Sequence, residues 1–168
     1  FLDQRGIRDV QIAGHSFGGG VALTLALELN RQSPGRLKKL VLVDSIAYEQ
    51  GLPPALHVLR TPYLGPASTK IFPPTLQSTA ALVLAYKDPA KITQEAIDAY
   101  ARPMHEPGNQ HALVRTAEKI VPEYINILTH QYRTITQPVL LVWCREDRIV
   151  PLTVGQRLAR ELPDARLE

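Results

Sequence analysis

The chain has 168 residues, 45% hydrophobic and 21% charged, and 19 Lys+Arg against 16 Asp+Glu give a formal net charge of +3. That content suits a globular chain with a sizeable core and excludes disorder. The charges are scattered with no run that would track a phosphate backbone, which argues against nucleic acid as a partner. The longest apolar stretches, such as VLLVWC at 139–144, fall far short of the roughly 20 residues of a membrane span.

DVQIAGHS (9–16) is a short apolar run bounded by polar residues, and KLVLVDS (39–45) and PVLLVWC (138–144) repeat its form. Runs of this length rich in Val and Leu read as strands of a parallel sheet, buried on both faces. Between the first two lies FGGGVALTLALELNRQSPG, where Val21, Leu25, Leu27 and Leu29 fit a helix ended by Ser33, Pro34 and Gly35. Strand, helix and strand make one βαβ unit.

From 49 to 136 prolines at 53, 54, 62, 66, 73, 74, 89, 103, 107 and 122 interrupt helical patterns, and no strand period is visible. Helices are expected near 53–60, 75–86, 93–102, 109–120 and 122–133, the third capped by Thr93. The segment is too long for a simple connection and reads as an all-helical insertion. PLTVGQRLARELP (151–163) then reads as a helix and ARLE (165–168) as the start of a strand. The organisation is therefore core at 1–48, insertion at 49–136 and core again at 137–168. A chain that opens on Phe1 and closes inside a strand is the expectation for a fragment.

Cys144 is the single cysteine, so there is no internal disulfide and no CxxC motif. It favours a reducing, cytoplasmic setting. No metal cluster and no cofactor fingerprint is present, and none is expected.

Gly14-His15-Ser16-Phe17-Gly18 matches G-x-S-x-G, and it falls between an expected strand and an expected helix, the context this pattern requires. A serine held in a strained turn exposes its hydroxyl, and glycines flank it where side chains would collide. Gly19 and Gly20 would let the helix lie close to the sheet. The helix would aim its N-terminus at a substrate oxygen, with the Phe17 N–H as half of an oxyanion hole. The plainer alternatives are a glycine-rich turn that only packs, or one that binds phosphate. The chain lacks the lysine of a P-loop and the spacing of a dinucleotide fingerprint.

The GHSFGG elbow, the LVLVDS strand, the helical insertion and PVLLVWCREDRIVP occur in the order of the α/β-hydrolase superfamily, which the chain resembles over nearly its whole length. The resemblance implies a partial α/β-hydrolase fold: a mostly parallel sheet, with the insertion after the family's sixth strand acting as a cap that selects substrate. It implies Ser16 as nucleophile and Asp147, in the loop after the seventh strand, as the acid that orients a histidine. Glu146 would face elsewhere, and Cys144 stands where relatives often carry glycine. Asp44 ends the sixth strand, where some relatives place their acid, and reads more simply as a structural residue.

The histidines are His15, His57, His105, His111 and His130. His15 adjoins the nucleophile and is expected to pack beside it, and the others lie in the insertion. In the family the base follows the eighth strand, so the resemblance implies a histidine beyond Glu168 and a second oxyanion donor ahead of Phe1. For the intact parent it implies a serine hydrolase acting on a small molecule, broadly an apolar ester or related acyl compound. A carbon–carbon bond hydrolase, peptidase, lipase, thioesterase or acyltransferase shares the same serine and cap. A non-catalytic binding protein of this fold and a truncated product without function are the competing classes. Leu56, Leu59, Tyr63, Leu64, Phe72, Leu76, Leu82, Tyr86, Tyr100 and Met104 could line an apolar pocket, or simply pack. Oligomeric state is not legible.

Overall fold

The structure is a computed structural model that describes all of residues 1–168. The elements run β1 (Val10–His15), α1 (Phe17–Gln32), β2 (Leu37–Val43), α2 (Pro54–Arg60), α3 (Leu64–Ile71), α4 (Pro74–Ala85), α5 (Gln94–Ala101) and α6 (Asn109–Glu118). They continue with α7 (Ile125–Gln131), β3 (Val139–Val142), α8 (Leu152–Glu161) and β4 (Ala165–Leu167). Two compact units divide the chain, one of Phe1–Glu49 with Glu123–Glu168 and the other of Gln50–Pro122. Residues 123–136, which the sequence groups with the insertion, fall in the sheet unit.

In the sheet unit the four strands are all parallel and lie in the order β1-β2-β3-β4. Parallel strands joined in sequence by crossovers of one hand place every connecting helix on the same face. Burial follows. Val10, Leu37, Leu40, Leu42, Val139 and Leu141 form one core cluster with Leu23, Ala26 and Leu27 of α1 and Leu158 of α8. Their alternate neighbours Ala13, Leu140 and Val142 are exposed. The expectation of strands buried on both faces is thus corrected, because within these residues only one face carries helices. An irregularity between Val10 and Gln11 shifts the pairing from Leu37 to Lys39. The extra residue leaves Lys38 and Lys39 both exposed and returns Leu40 to the core face.

Helix α1 buries only part of the stripe that the sequence pattern indicates, Leu27 and Leu29 but not Val21 and Leu25. Gly19, Ala22, Leu23, Ala26, Leu27 and Leu29 are buried, whereas Val21 and Leu25 are exposed. Size alone does not pick the buried stripe: the small residues Ala22 and Ala26 are buried with Leu23 and Leu27 where α1 lies on the sheet, while the larger Val21 and Leu25 face away. The end of α1 is tied to the entry of β3 by reciprocal amide hydrogen bonds between Asn30 and Gln137, 2.9 and 3.0 Å.

The Gln50–Pro122 unit is helical, with Leu82, Ala101, Val114 and Ala117 buried. Thr93 caps α5, its Oγ1 accepting from the Ala96 N–H at 3.1 Å. Helix α3 is absent from the sequence reading because Pro62, Gly65 and Pro66 look like breakers. Pro66 is instead the third residue of α3, where a helix has no use for its N–H. A Cβ on Gly65 would lie 2.1 Å from the Leu59 carbonyl oxygen, so α2 and α3 meet only over glycine. Of the ten apolar residues read as pocket lining, Leu82 is core, while Tyr63, Leu64, Phe72, Leu76, Tyr86 and Tyr100 are exposed.

Two local clusters lock the sheet unit. Trp143 is buried, and its Nε1 donates to the Val150 carbonyl at 3.0 Å, closing the loop after β3. Tyr48 donates to Glu161 at 2.8 Å, Arg157 stacks 3.8 Å above the Tyr48 ring, and Tyr132 donates to the Ala47 carbonyl at 2.7 Å. Burial pushes both tyrosine hydroxyls well above the ordinary tyrosine range, so they stay neutral donors. Burial also pushes the Glu161 carboxyl up, but hydrogen bonds from Arg157 and Tyr48 carry it below the ordinary glutamate value.

A carboxyl lowered on folding stabilises the protein above its unfolded pKa, and that contribution is lost as pH falls through the folded pKa. Glu161→Gln should therefore lower stability near neutral pH and lose less on acidification, which urea unfolding across pH measures. Gly155→Ala sets helix propensity against packing. Alanine gains about 1 kcal/mol in a helix, but its Cβ would lie 2.7 Å from the hydrogen-bonded Trp143 ring. Overpacking costs about 1–3 kcal/mol, so the expected outcome is a net destabilisation with altered emission from the single tryptophan.

Candidate active site

A parallel sheet sends all its strands out at one edge, and that edge carries Ser16 after β1, Asp44 after β2 and Asp147 in the loop after β3. Two strand spacings separate the ends of β1 and β3, about 10 Å.

Ser16 takes φ 51°, ψ −119° and is the N-cap residue of α1, yet its side chain makes no capping hydrogen bond. A serine at this position ordinarily accepts from the next turn's N–H groups from an extended backbone. The positive φ turns the hydroxyl out of that geometry and leaves it unused. Hydrogen bonds hold the turn: the Ser16 N–H donates to the Val43 carbonyl at 2.9 Å, and the Ser16 carbonyl accepts from Gly19 at 3.0 Å and Ile46 at 3.1 Å. The Phe17 N–H, first of α1, faces the same end of the helix as the positive pole of its dipole.

The glycines of this turn differ in what they do. A Cβ on Gly14 would sit 2.4 Å from the Gly18 carbonyl oxygen, so residue 14 must be glycine for the turn to close. At Gly18 an added carbon would meet no atom within 4 Å beyond its chain neighbours and its own helix backbone, so the packing that requires glycine at 14 does not extend to 18. Gly19 and Gly20 fit against the segment after β2 and not against the sheet itself: their added carbons would meet Ser45 Oγ at 2.1 Å and Ile46 Cγ1 at 2.9 Å. Ser45 is fully buried, its Oγ donating to the Ile46 carbonyl at 3.0 Å.

Asp147 is half-buried, and its Oδ1 accepts from the N–H groups of Ile149 at 2.6 Å and Val150 at 2.9 Å. Those bonds fold the loop after β3 around the carboxylate, with the Asp147 N–H donating to the Cys144 carbonyl at 3.3 Å. Cys144 is an exposed free thiol. Asp44 also takes a positive φ, 42°, and its Oδ1 accepts from the Cys144 N–H at 2.8 Å. The sequence reading missed this cross-strand bond. The one available signal was an Asp directly after a strand, since Asp is among the few residues that enter the left-handed region at modest cost.

Ser16, Phe17 and Asp147 thus share one edge of one unit, but no histidine hydrogen-bonds to Ser16 or Asp147. His15 is exposed at the end of β1, and His57, His105 and His111 are exposed in the helical unit. His130, on α7, lines a pocket of about 360 Å³ with Thr129, Arg133, Arg157 and Glu161. No group of three or more His, Cys, Asp or Glu side chains is placed to hold a metal ion. No helix is long and apolar enough to cross a membrane.

A singly wound parallel sheet with a strained serine between its first strand and the following helix defines a class of α/β protein built around a tight strand-to-helix turn. The profile of the alpha/beta hydrolase fold family matches residues 1–168, and the chain belongs to that family. It is 29% identical over 167 residues to the uncharacterized hydrolase YugF of Bacillus subtilis, covering 99% of this chain and 58% of that protein. It is 27% identical over 170 residues to 2-hydroxymuconate semialdehyde hydrolase of Pseudomonas putida, covering 99% and 56%. Among solved structures it is similar to an alpha/beta hydrolase fold protein from Burkholderia ambifaria, with TM-score 0.76, 25% identity and coverage of 99% and 60%. The meta-cleavage product hydrolase CumD of Pseudomonas fluorescens is similar in fold, with TM-score 0.73, 24% identity and coverage of 99% and 57%. The chain spans less than three-fifths of the length of these two curated relatives, 58% and 56%.

The contact between Gly19 and Ser45 generates a test of the elbow's packing. Gly19→Ala should destabilise the sheet unit by about 1–3 kcal/mol through overpacking, as measured by chemical unfolding. Adding Ser45→Gly, which removes the two closest atoms, should recover part of the loss, a non-additivity that a double-mutant cycle reads directly.

Proposed function

We propose that the protein containing these residues is a serine hydrolase in which Ser16 is the nucleophile, Asp147 the acid and the Phe17 N–H an oxyanion donor. The observation that carries this reading is the Ser16 hydroxyl: it sits at the head of a 16-residue helix in a strained turn and does not cap that helix. Strain of this kind costs of order 1–3 kcal/mol, and a hydroxyl withheld from an available cap is one kept for chemistry.

In the proposed reaction Ser16 Oγ attacks an electrophilic carbonyl while a histidine accepts its proton. The oxyanion that forms is met by the Phe17 N–H and the dipole of α1. Collapse of this intermediate breaks the bond from the carbonyl carbon to the leaving group, which departs with the proton held by the histidine. Water deprotonated by the now neutral histidine attacks the acyl-enzyme, and the acid product leaves as Ser16 Oγ takes that proton back. Asp147 Oδ1 is engaged by its own loop, which leaves Oδ2 for the histidine. None of the five histidines of residues 1–168 fills the role, and the family order assigns the base to the segment after β4, the neighbour of β3. Substrate selection is assigned to the helical unit.

For substrate, small acyl compounds such as esters are the general reading. A second reading, a carbon–carbon bond hydrolase, is favoured by the names of the relatives, which include a 2-hydroxymuconate semialdehyde hydrolase and a meta-cleavage product hydrolase.

Fluorophosphonate labelling of the protein in its native source, followed by mapping of the modified residue, should find Ser16, with Ser16→Ala unlabelled. A protein that stays unlabelled while folded would favour the non-catalytic binding class. Turnover of 2-hydroxymuconate semialdehyde against a 4-nitrophenyl ester series then decides between the two substrate readings. Residues 1–168 expressed alone should show no Ser16-dependent turnover, since loss of a triad member costs several orders of magnitude. Wild-type rates from that piece would sink the assignment of the base.

A further inference from the structure

We infer that Asp44 is a positioning residue of this site: its carboxylate clips the loop that carries Asp147 to the end of β2, beside the Ser16 turn. The inference rests on the serine-hydrolase reading and adds to it the group that fixes acid and nucleophile in one frame.

The segment after β2 lies between the two working loops and is bonded to both. On one side the Val43 carbonyl accepts from the Ser16 N–H at 2.9 Å, and the Ile46 N–H donates to the Ser16 carbonyl at 3.1 Å. On the other, the Asp44 N–H donates to the Val142 carbonyl at 3.0 Å, and Asp44 Oδ1 accepts from the Cys144 N–H at 2.8 Å. The β2–β3 pairing ends at Val43 with Val142. The carboxylate therefore supplies, one step beyond the strand, the acceptor that the next backbone carbonyl would have supplied. Cys144 passes the constraint on, since its carbonyl accepts from the Asp147 N–H at 3.3 Å.

The backbone explains why a side chain takes this task. At φ 42° the chain leaves the extended path, so Asp44 cannot continue the ladder with its own carbonyl. Without the carboxylate the Cys144 N–H would lose its partner, and the backbone bond from Asp44 to Val142 would no longer be extended into the loop. Displacements of about 1 Å in a catalytic group can cost 10²-fold in rate, so a clip anchored on the strand next to the nucleophile's own has leverage on kcat.

The chemistry also separates this role from that of a triad acid. Accepting an amide N–H needs an oxygen and not a charge, and Asn supplies that oxygen and tolerates positive φ. Orienting and stabilising an imidazolium needs the carboxylate, because the corresponding amide imposes the wrong tautomer.

The test uses the protein as its gene encodes it, assayed on a 4-nitrophenyl ester, with Ser16→Ala, Asp147→Asn, Asp44→Asn and Asp44→Gly. Glycine takes φ 42° without strain, so Asp44→Gly removes the carboxylate and spares the backbone. Asp44→Gly should lower kcat by about 10- to 100-fold with KM within about twofold. Asp44→Asn should stay within about threefold of wild type, far above Asp147→Asn. Alkylation of Cys144 by iodoacetamide should quicken in Asp44→Gly and not in Asp44→Asn, and the contrast in kcat between Asp44→Asn and Asp147→Asn carries the test if the glycine variant does not fold. An unchanged kcat in Asp44→Gly overturns the inference. So does an Asp44→Asn as inactive as Asp147→Asn, which would make Asp44 the acid. Persistent hydrolysis by Ser16→Ala is the separate signature of failure of the serine reading itself.

Discussion

At Ser16 the backbone is turned to φ 51°, and hydrogen bonds to Val43, Gly19 and Ile46 hold it there. Much of the sheet unit can be read as support for that turn. Gly14 is required because the turn brings the Gly18 carbonyl onto the place of its Cβ, and Gly19 because α1 then starts against Ser45. Ser45 in turn is buried and bonded to the Ile46 carbonyl, so the segment that braces the serine is itself braced. The small residues of α1 that follow, Ala22 and Ala26, are buried with Leu23 and Leu27 where the helix lies on the sheet.

The parallel order of the strands converts this local strain into a site. Each strand delivers its loop to the same edge, so a serine after β1 and a carboxylate after β3 share one edge although 131 positions separate residues 16 and 147. β2 lies between them, and the residues just past it bond to both neighbours. The Trp143–Val150 and Tyr48–Glu161–Arg157 clusters hold the loop after β3 and helix α8 from behind. The chain belongs to the alpha/beta hydrolase fold family over residues 1–168.

The elbow was legible in the sequence because it is a local device: a strand, a serine between glycines and a helix are adjacent in the chain, and their conformations are set by near neighbours. The helices after Pro53, Pro73 and Thr93 were legible for the same reason, since prolines and caps act within one turn. Legibility failed where neighbours come from elsewhere. Pro66 looked like a breaker until its place in the first turn of α3 was known, and Val21 and Leu25 looked like core until the sheet chose the face with Ala22, Leu23, Ala26 and Leu27. Asp44 read as a plain strand-end carboxylate because its partner, Cys144, is 100 positions away.

The sequence by itself determined the parallel α/β class, the serine turn between strand and helix, and the order of Ser16 before Asp147 along the chain. It could do so because apolar period, glycine placement and loop composition are properties of short segments. Only the tertiary structure decided that one face of these four strands is covered, that residues 123–136 fall in the sheet unit, and that Asp44 bonds across to the loop of Asp147. Those outcomes depend on which surfaces meet when crossovers of one hand stack their helices on one side of a sheet, and no short segment carries that information.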